Sequence, residues 1–136
     1  MPANLRFVIM LFALAALAAP FSVYFIERQD QQTARTQAKT MTGGHVAAGE
    51  IAVDRVGCSA CHRFSSVCGT AGKVGPSLTD VAVRAEIAGR LANTPDDMLL
   101  WLRHPQQIAL GSGMPDQDLG ERDARDIAAY LYTLRR

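Results

Sequence analysis

The sequence lacks several features that would assign it to common classes of protein. It has no excess of charge of one sign, because 14 Lys and Arg stand against 13 Asp and Glu in 136 residues, a formal net charge of +1. Proteins that bind nucleic acid usually carry a strongly basic surface, so nucleic acid is not an expected partner. Strand-like alternation of apolar and polar residues is scarce, and the sequence therefore predicts an all-α protein.

Cysteine is also sparse. The chain has three cysteines, at positions 58, 61 and 68. So few cysteines exclude a mini-protein held together by disulfides, and an odd number leaves one thiol over in any pairing. All three lie within eleven consecutive positions. They therefore indicate one local site rather than a disulfide framework.

A long apolar run covers residues 7–26, where eighteen of twenty side chains are apolar. As an α-helix this run would span about 30 Å, the thickness of the hydrocarbon core of a bilayer. We therefore predict an N-terminal membrane anchor over residues 1–26. The alternative is a signal peptide cleaved near residues 16–18, but such cleavage would expose the apolar segment 19–26, which favours the anchor. In both cases the rest of the chain is exported.

The residues after the apolar run divide into two further parts. Residues 27–44 are polar, have no clear apolar stripe and end in two glycines, so they predict a polar tether with the character of a flexible coil. Residues 45–136 form a small domain whose charges nearly balance. A domain of this size has a marginal core, so a large buried cofactor would add to its stability as well as its function.

Apolar positions at helical spacing predict several helices in this domain. The best-marked helix covers residues 94–104, where Thr94 is an N-cap residue followed by a proline and two acids at the positive end of the helix dipole. A second helix, over about residues 121–134, has one clearly apolar face. Residues 45–56 carry a looser stripe, and residues 81–91 are a weaker helix candidate.

Positions 58–62, with the sequence Cys-Ser-Ala-Cys-His, carry the most specific signal in the chain. In a Cys-x-x-Cys-His motif two thiols add to the vinyl groups of a haem and the adjacent imidazole binds its iron. A zinc site would need a second pair of ligands, and only Cys68 lies near. A thioredoxin-like dithiol would need a strand–helix–strand setting, which the sequence does not indicate. We predict one covalent haem c, attached through Cys58 and Cys61, with His62 as an iron ligand.

A haem bound through His62 has a sixth coordination position, for which Met and His are the usual protein ligands in electron carriers. Met114 lies in a loop between glycines and a proline, where the backbone can approach a cofactor closely. Met98 lies in an amphipathic helix, where a core position is more usual. Met114 is therefore the predicted sixth ligand. Met41 precedes the domain, so the alternatives are His45, His104 or an open position.

From residue 45 to 136 the chain has, in order, a helix running into positions 58–62, Gly75-Pro76, a helix before His104-Pro105, the Met114 loop and a C-terminal helix with Tyr130. In these motifs it resembles the class I cytochromes c. The resemblance implies the cytochrome c fold, in which helices pack around one covalently bound haem. It also implies that Gly49 and Tyr130 lie where the first and last helices cross, and that the Pro76 carbonyl accepts a hydrogen bond from His62 Nδ1, so that Pro76 belongs to the cofactor site.

Some residues of the domain depart from the family pattern or have no role in it. Many members have a proline and an aromatic residue where this chain has Leu110 and Ile108. Without that aromatic side chain, a phenol hydroxyl is missing that could form one hydrogen bond near the Met side chain. The stiffness of the loop and the reduction potential of the haem should therefore differ from those of such members. Trp101 is expected in the core, with a hydrogen bond to a haem propionate as the alternative. Cys68 is expected as a free thiol, with an intermolecular disulfide as the alternative.

A haem with two protein ligands leaves no coordination position for a substrate. The ligation therefore implies an electron carrier rather than an enzyme, and we expect no small-molecule substrate. His/Met ligation raises the haem potential and suits the late part of a respiratory chain. We expect the chain in the bacterial inner (cytoplasmic) membrane, with the haem domain on the periplasmic face. Its redox partners would be a quinol-oxidising complex or dehydrogenase and a terminal oxidase. The alternatives are a fixed subunit of an oxidase or dehydrogenase complex and a haem-based gas sensor.

Overall fold

Helices make up most of the structure. The computed structural model describes residues 3–64 and 72–135. Within these ranges the chain is mostly helical, which confirms the predicted predominance of helix. Its elements are α1 (Ala3–Thr42), α2 (Val46–Arg55), a 3₁₀ turn (Cys58–Ala60), a second 3₁₀ turn (Val81–Val83), β1 (Glu86–Ile87), β2 (Leu91–Ala92), α3 (Pro95–Arg103), α4 (Pro105–Ile108) and α5 (Glu121–Leu131).

The first compact unit is the N-terminal part of α1. The chain divides into two units between Thr33 and Ala34. In the first unit the helix continues through Pro20, and large apolar side chains such as Phe12 and Leu17 are exposed. This helix is long and apolar enough to cross a membrane. A signal sequence has the same length and apolar character.

The segment 27–44 differs from the flexible coil that its composition predicts. It is helical to Thr42, and its residues from Ala34 onwards belong to the second compact unit. Ala34, Ala38 and Thr42 are four residues apart, which places them on one face of the helix, and all three are buried. Gly43, with a φ of +69°, ends the helix. Composition did not reveal this stripe because two alanines and a threonine present little apolar area.

Helices α2 and α5 cross in close contact and form the centre of the second unit. A Cβ atom on Gly49 would lie 1.8 Å from the carbonyl oxygen of Asp126 and 2.9 Å from Tyr130 Cβ, so only glycine permits this approach. Val53 and Ile127 are each 1% exposed and belong to the same buried apolar cluster. The expected crossing of the first and last helices of the domain at Gly49 and Tyr130 is therefore present.

The two other well-marked helices begin where the sequence predicts. Thr94 Oγ1 accepts a hydrogen bond from the amide of Asp97 at 3.2 Å, and a proline occupies the first turn of α3. The apolar face of α5 is buried as expected. However, α5 ends at Leu131 rather than near Leu134, because the chain tightens there into turns in which the Leu134 amide donates to the Leu131 carbonyl at 3.0 Å.

The prediction of a helix over residues 81–91 is wrong. They form a short 3₁₀ turn followed by an antiparallel hairpin, in which Glu86 pairs with Ala92 and Ile87 with Leu91. The hairpin loop contains Ala88 and Gly89, both with positive φ, which is incompatible with an α-helix. A helix prediction fails here because the apolar positions of this segment contact the core through the turn and the hairpin instead of through one helical face.

Candidate functional site

The Cys-x-x-Cys-His motif lies on one tight turn shortly after α2. Gly57 precedes it with a φ of +75°, a conformation that favours glycine. The amides of Cys61 and His62 both donate to the carbonyl oxygen of Cys58, at 3.3 and 2.9 Å. These bonds hold the two cysteines and the histidine together on a single short turn.

Both thiols of this turn are free of disulfides and half-buried. Burial raises the pKa of the Cys58 thiol above its ordinary value, and the nearby Asp54 carboxylate and Cys61 thiol act in the same direction, against a hydrogen bond to the Cys58 backbone. Cys58 also packs against the apolar core. A protonated, uncharged thiol is the form that suits such surroundings.

The His62 ring is fixed by the backbone that follows the motif. Its Nδ1 atom lies 2.8 Å from the Pro76 carbonyl oxygen. Because a carbonyl oxygen can only accept, Nδ1 carries the proton and the lone pair lies on Nε2. A Cβ atom on Gly75 would lie 2.6 Å from His62 Cε1, so this close approach to the ring requires glycine. The arrangement presents Nε2 as the nitrogen that can bind a metal.

The segment that carries Pro76 is attached to the motif turn at several points. Arg84 donates to the Ser77 carbonyl oxygen and forms an ion pair with Asp80, and the hydrogen bond from Arg84 holds the pKa of the Asp80 carboxyl below its usual value. The Pro76 carbonyl therefore lies on a restrained backbone. The backbone hydrogen bonds between the two segments run from Gly72 to Ser59 (3.1 Å), from Gly75 to Cys61 (2.9 Å) and from Leu78 to Arg63 (2.8 Å).

Met114 lies in the loop between α4 and α5. Its side chain is half-buried and packs against the same apolar cluster that Cys58 contacts. The loop contains Gly111 with a φ of +80°. The side-chain amide of Gln106 donates to the carbonyl oxygen of Met114 at 2.6 Å. The Met114 thioether is thus carried by a restrained loop on the domain core.

The other ligand candidates occupy different settings. Met98 is 2% exposed and lies in the core, as its place in an amphipathic helix predicts, whereas Met41 is exposed on α1. His104 lies between α3 and α4, at the end of one helix and the start of the next. His45 precedes α2, where its backbone amide donates to the buried Asp126 carboxylate at 2.6 Å. His45 and His104 therefore stand at helix boundaries.

Two further expectations concern residues with no assigned ligand role. Trp101 is half-buried and packs against the apolar core, which agrees with its expected core position. Cys68, expected as a free thiol, lies outside the described residues.

The donor set around the motif fits a haem. A structural zinc ion takes four protein ligands, usually Cys and His. Among residues 3–64 and 72–135, no group of three or more His, Cys, Asp or Glu could hold a metal ion. A haem brings its own equatorial nitrogens and needs only two thiols and axial ligands from the protein. Cys58, Cys61 and His62 would supply the thiols and one axial ligand, and Met114 is available for the other.

Several polar residues of the domain have structural roles that the sequence did not indicate. Gln106 bonds to the backbone of the Met114 loop, and Arg84 bonds to the backbone after Pro76. Asp126 lies on a helix with one apolar face, and its carboxylate is charged, yet the residue is only 5% exposed and binds the amide of His45. Each of these side chains binds main-chain atoms, which carry no residue-specific signal, so no sequence motif marks the contact.

Part of this chain is similar in sequence to a subunit of cytochrome c oxidase. Cytochrome c oxidase subunit 2 of Alkalihalophilus pseudofirmus is 37% identical over 79 residues, which cover 57% of this chain and 22% of the relative. The chain therefore matches only about a fifth of the length of that relative. No protein-family model matches the chain. The comparison establishes a partial similarity to a subunit of cytochrome c oxidase.

Proposed function

We propose that this chain is a membrane-anchored c-type cytochrome with one covalent haem, which passes electrons within a respiratory chain. The observation that carries the proposal is the turn with two free thiols next to His62, whose Nδ1 is occupied by the Pro76 carbonyl. The partial similarity to a cytochrome c oxidase subunit supports the respiratory role. The close crossing of α2 and α5 at Gly49 supports a cytochrome c fold for residues 45–136.

Cys58 and Cys61 would attach the haem through two thioether bonds. In each addition the S–H bond breaks, sulfur bonds to one vinyl carbon and the hydrogen goes to the other. The reaction is balanced without an oxidant or reductant. Cys58 begins the Cys58–Ala60 turn, and Cys61 and His62 follow it directly, so that attachment and ligation would involve one short segment.

His62 and Met114 would be the two axial ligands. The hydrogen bond to Pro76 fixes the tautomer of His62 and increases the basicity of Nε2. Bound between these ligands, the haem would supply one-electron transfer at its iron. Because both axial positions are then taken by the protein, we propose an electron carrier rather than an enzyme, with redox proteins and not a small molecule as partners.

The proposal includes a retained membrane anchor. The apolar part of α1 would cross a bacterial inner membrane and leave the haem domain on the periplasmic face, where c-type haem is attached. Confinement to the membrane raises the concentration of the carrier near its donor, a quinol-oxidising complex or dehydrogenase, and near its acceptor, a terminal oxidase.

A fixed subunit of an oxidase is the second candidate, and the partial similarity to an oxidase subunit favours it. Purification in mild detergent separates the two roles. A fixed subunit should co-purify with the other oxidase polypeptides in constant stoichiometry, whereas a mobile carrier should be isolated alone.

The mass of the denatured protein tests the proposal, using cells that mature c-type cytochromes. We expect the polypeptide plus one haem. The double variant Cys58→Ala/Cys61→Ala should lack the haem, while Cys68→Ala, which changes a thiol outside the motif, should keep it. A full-length unmodified protein without haem would contradict the proposal, and ready binding of carbon monoxide by the reduced protein would favour a gas sensor.

A further inference from the structure

One side chain, that of Gln106, holds the loop that carries Met114. Its Nε2 atom donates to the carbonyl oxygens of Ser112 and Met114, at 2.8 and 2.6 Å. Its Oε1 atom accepts a hydrogen bond from the amide of Gly111 at 3.2 Å. A single amide therefore makes three hydrogen bonds to a stretch of four loop residues.

The chemistry of the partners fixes the orientation of this amide. The two carbonyl oxygens can only accept, and the Gly111 N–H can only donate, so a flipped Gln106 amide would face like groups on every side. The site is therefore specific for a side chain that has two donors and one acceptor at this length. A glutamate would lose both donors, and a leucine would lose all three hydrogen bonds.

Gln106 is itself held from the far side of the loop. Its backbone amide donates to Asp116 Oδ1 at 3.2 Å, and the preceding Pro105 is buried. Within the loop, the Met114 amide donates to Ser112 Oγ at 3.2 Å. The residues on both sides of Met114 are thus connected to the start of α4, although residues 111–114 include two glycines that would otherwise allow many conformations.

We propose that Gln106 is a positioning residue for Met114 and orders the loop so that the thioether occupies the sixth position on a haem held by His62. This inference rests on the proposed function. A loop already ordered by hydrogen bonds loses little conformational entropy when its methionine binds iron, so the Met–iron bond is stronger than it would be from a free loop. The same bonds compensate for the proline that this loop lacks before Gly111.

The test uses the full-length haem protein and the variant Gln106→Glu, which keeps the size of the side chain and removes its two donors. Gln107→Glu is the matched control, because Gln107 is exposed, lies in the same short helix and undergoes the same change of charge. Gln106→Leu is a second variant without added charge and without a new thioether. The measurements are the charge-transfer absorption of Met-ligated ferric haem, the affinity of the ferrous protein for carbon monoxide and the thermal midpoint.

We expect both Gln106 variants to weaken the Met–iron absorption and to raise the affinity for carbon monoxide by on the order of tenfold, since two or three hydrogen bonds are lost. Gln107→Glu should match the unmodified protein in both measurements. A purely structural role of Gln106 would lower the thermal midpoint and leave the absorption and the carbon monoxide affinity unchanged.

The possible results separate this inference from the proposed function. An unmodified protein with Met-ligated haem, together with Gln106 variants of unchanged ligation, would overturn the inference alone. Haem-bound unmodified protein without the Met absorption would overturn the assigned ligation and the inference with it. Loss of ligation in Gln107→Glu to the same extent would also overturn the inference, because added negative charge would then explain the effect.

Discussion

Met114 and Met98 carry the same side chain in two different settings. Met114 is half-buried in a loop, and Met98 is 2% exposed in the core. If Met114 is the sixth ligand, Met114→Ala should open the iron to carbon monoxide and lower the reduction potential. Met98→Ala should leave the spectrum unchanged and reduce the free energy of unfolding by about 2–5 kcal/mol, because it creates a core cavity.

The measurements for this pair are an optical spectrum, a redox titration and chemical denaturation of both variants. The two residues are matched in chemistry, so the difference between them isolates ligation from packing. An unchanged spectrum and potential in Met114→Ala would show that another group binds the iron.

We predict that the protein loses stability at high pH because of the Tyr132 phenol. Its hydroxyl donates to Asn93 Oδ1 at 3.0 Å, and burial, with a smaller effect of the Asp97 carboxylate, raises its pKa to about 12 from an ordinary value of 10.0. Between these two values the unfolded chain releases the phenol proton and the folded protein keeps it. The contribution of Tyr132 to the free energy of unfolding is therefore complete below about pH 10, falls as the pH rises towards 12 and levels off beyond it.

Denaturation with urea at a series of alkaline pH values, in the unmodified protein and in Tyr132→Phe, measures this effect. The phenylalanine variant should lose some stability at neutral pH, about 1 kcal/mol for the missing hydrogen bond, and should show a shallower decline above pH 10. Parallel curves for the two proteins would mean that Tyr132 does not cause the decline.

At the scale of the elements, the crossing of α2 and α5 should reverse the effect on stability that a glycine-to-alanine substitution usually has in a helix. Alanine has a better helix propensity than glycine by about 1 kcal/mol, so propensity alone predicts that Gly49→Ala stabilises the protein. In the structure the added methyl group would lie 1.8 Å from the Asp126 carbonyl oxygen. Separating the two helices should instead cost about 1–3 kcal/mol or more.

The exposed neighbour Ala48 provides the control for this crossing. Ala48→Gly should destabilise by about 1 kcal/mol through propensity alone. Thermal or chemical unfolding of both variants measures whether Gly49→Ala raises or lowers the free energy of unfolding. A stabilised Gly49→Ala protein would be incompatible with direct contact between these helices.

At the scale of the whole molecule, the end of α1 is part of the second compact unit. Ala38 is 1% exposed, Arg125 Nη1 donates to the Thr42 carbonyl oxygen at 3.0 Å, and Arg135 donates to the Gln37 side chain at 3.1 Å. Ala38→Glu would place a carboxylate in this buried contact, at a cost that undocking of residues 34–42 avoids. We expect faster amide hydrogen exchange in that segment and unchanged exchange in α3.

The control for undocking is Gln31→Glu, which adds the same charge at an exposed position of α1. It should leave the exchange of residues 34–42 as it is in the unmodified protein. Equal protection of the segment in both variants would indicate that the packing of Ala38 does not hold it.

The sequence by itself determined the features that depend on local spacing. The apolar run, the start of α3 at its Thr94 cap and the apolar face of α5 all follow from short-range patterns, because helix propensity, capping and amphipathicity act within a few turns of chain. The haem interpretation of positions 58–62 is equally local, since five adjacent residues carry its chemistry. It remains a prediction that the geometry around His62 supports.

Only the tertiary structure decided the features that join distant parts of the chain. The segment 34–42 is polar in composition, yet its narrow stripe packs on the domain and replaces a flexible coil with helix. Asp126 is charged, which is typical of a surface residue, but it is buried and accepts a hydrogen bond from a backbone amide 81 positions away. Gln106 bonds to loop carbonyls that every residue type possesses. Such contacts depend on which backbone atoms folding brings together, and sequence patterns record side chains rather than the positions of the main chain.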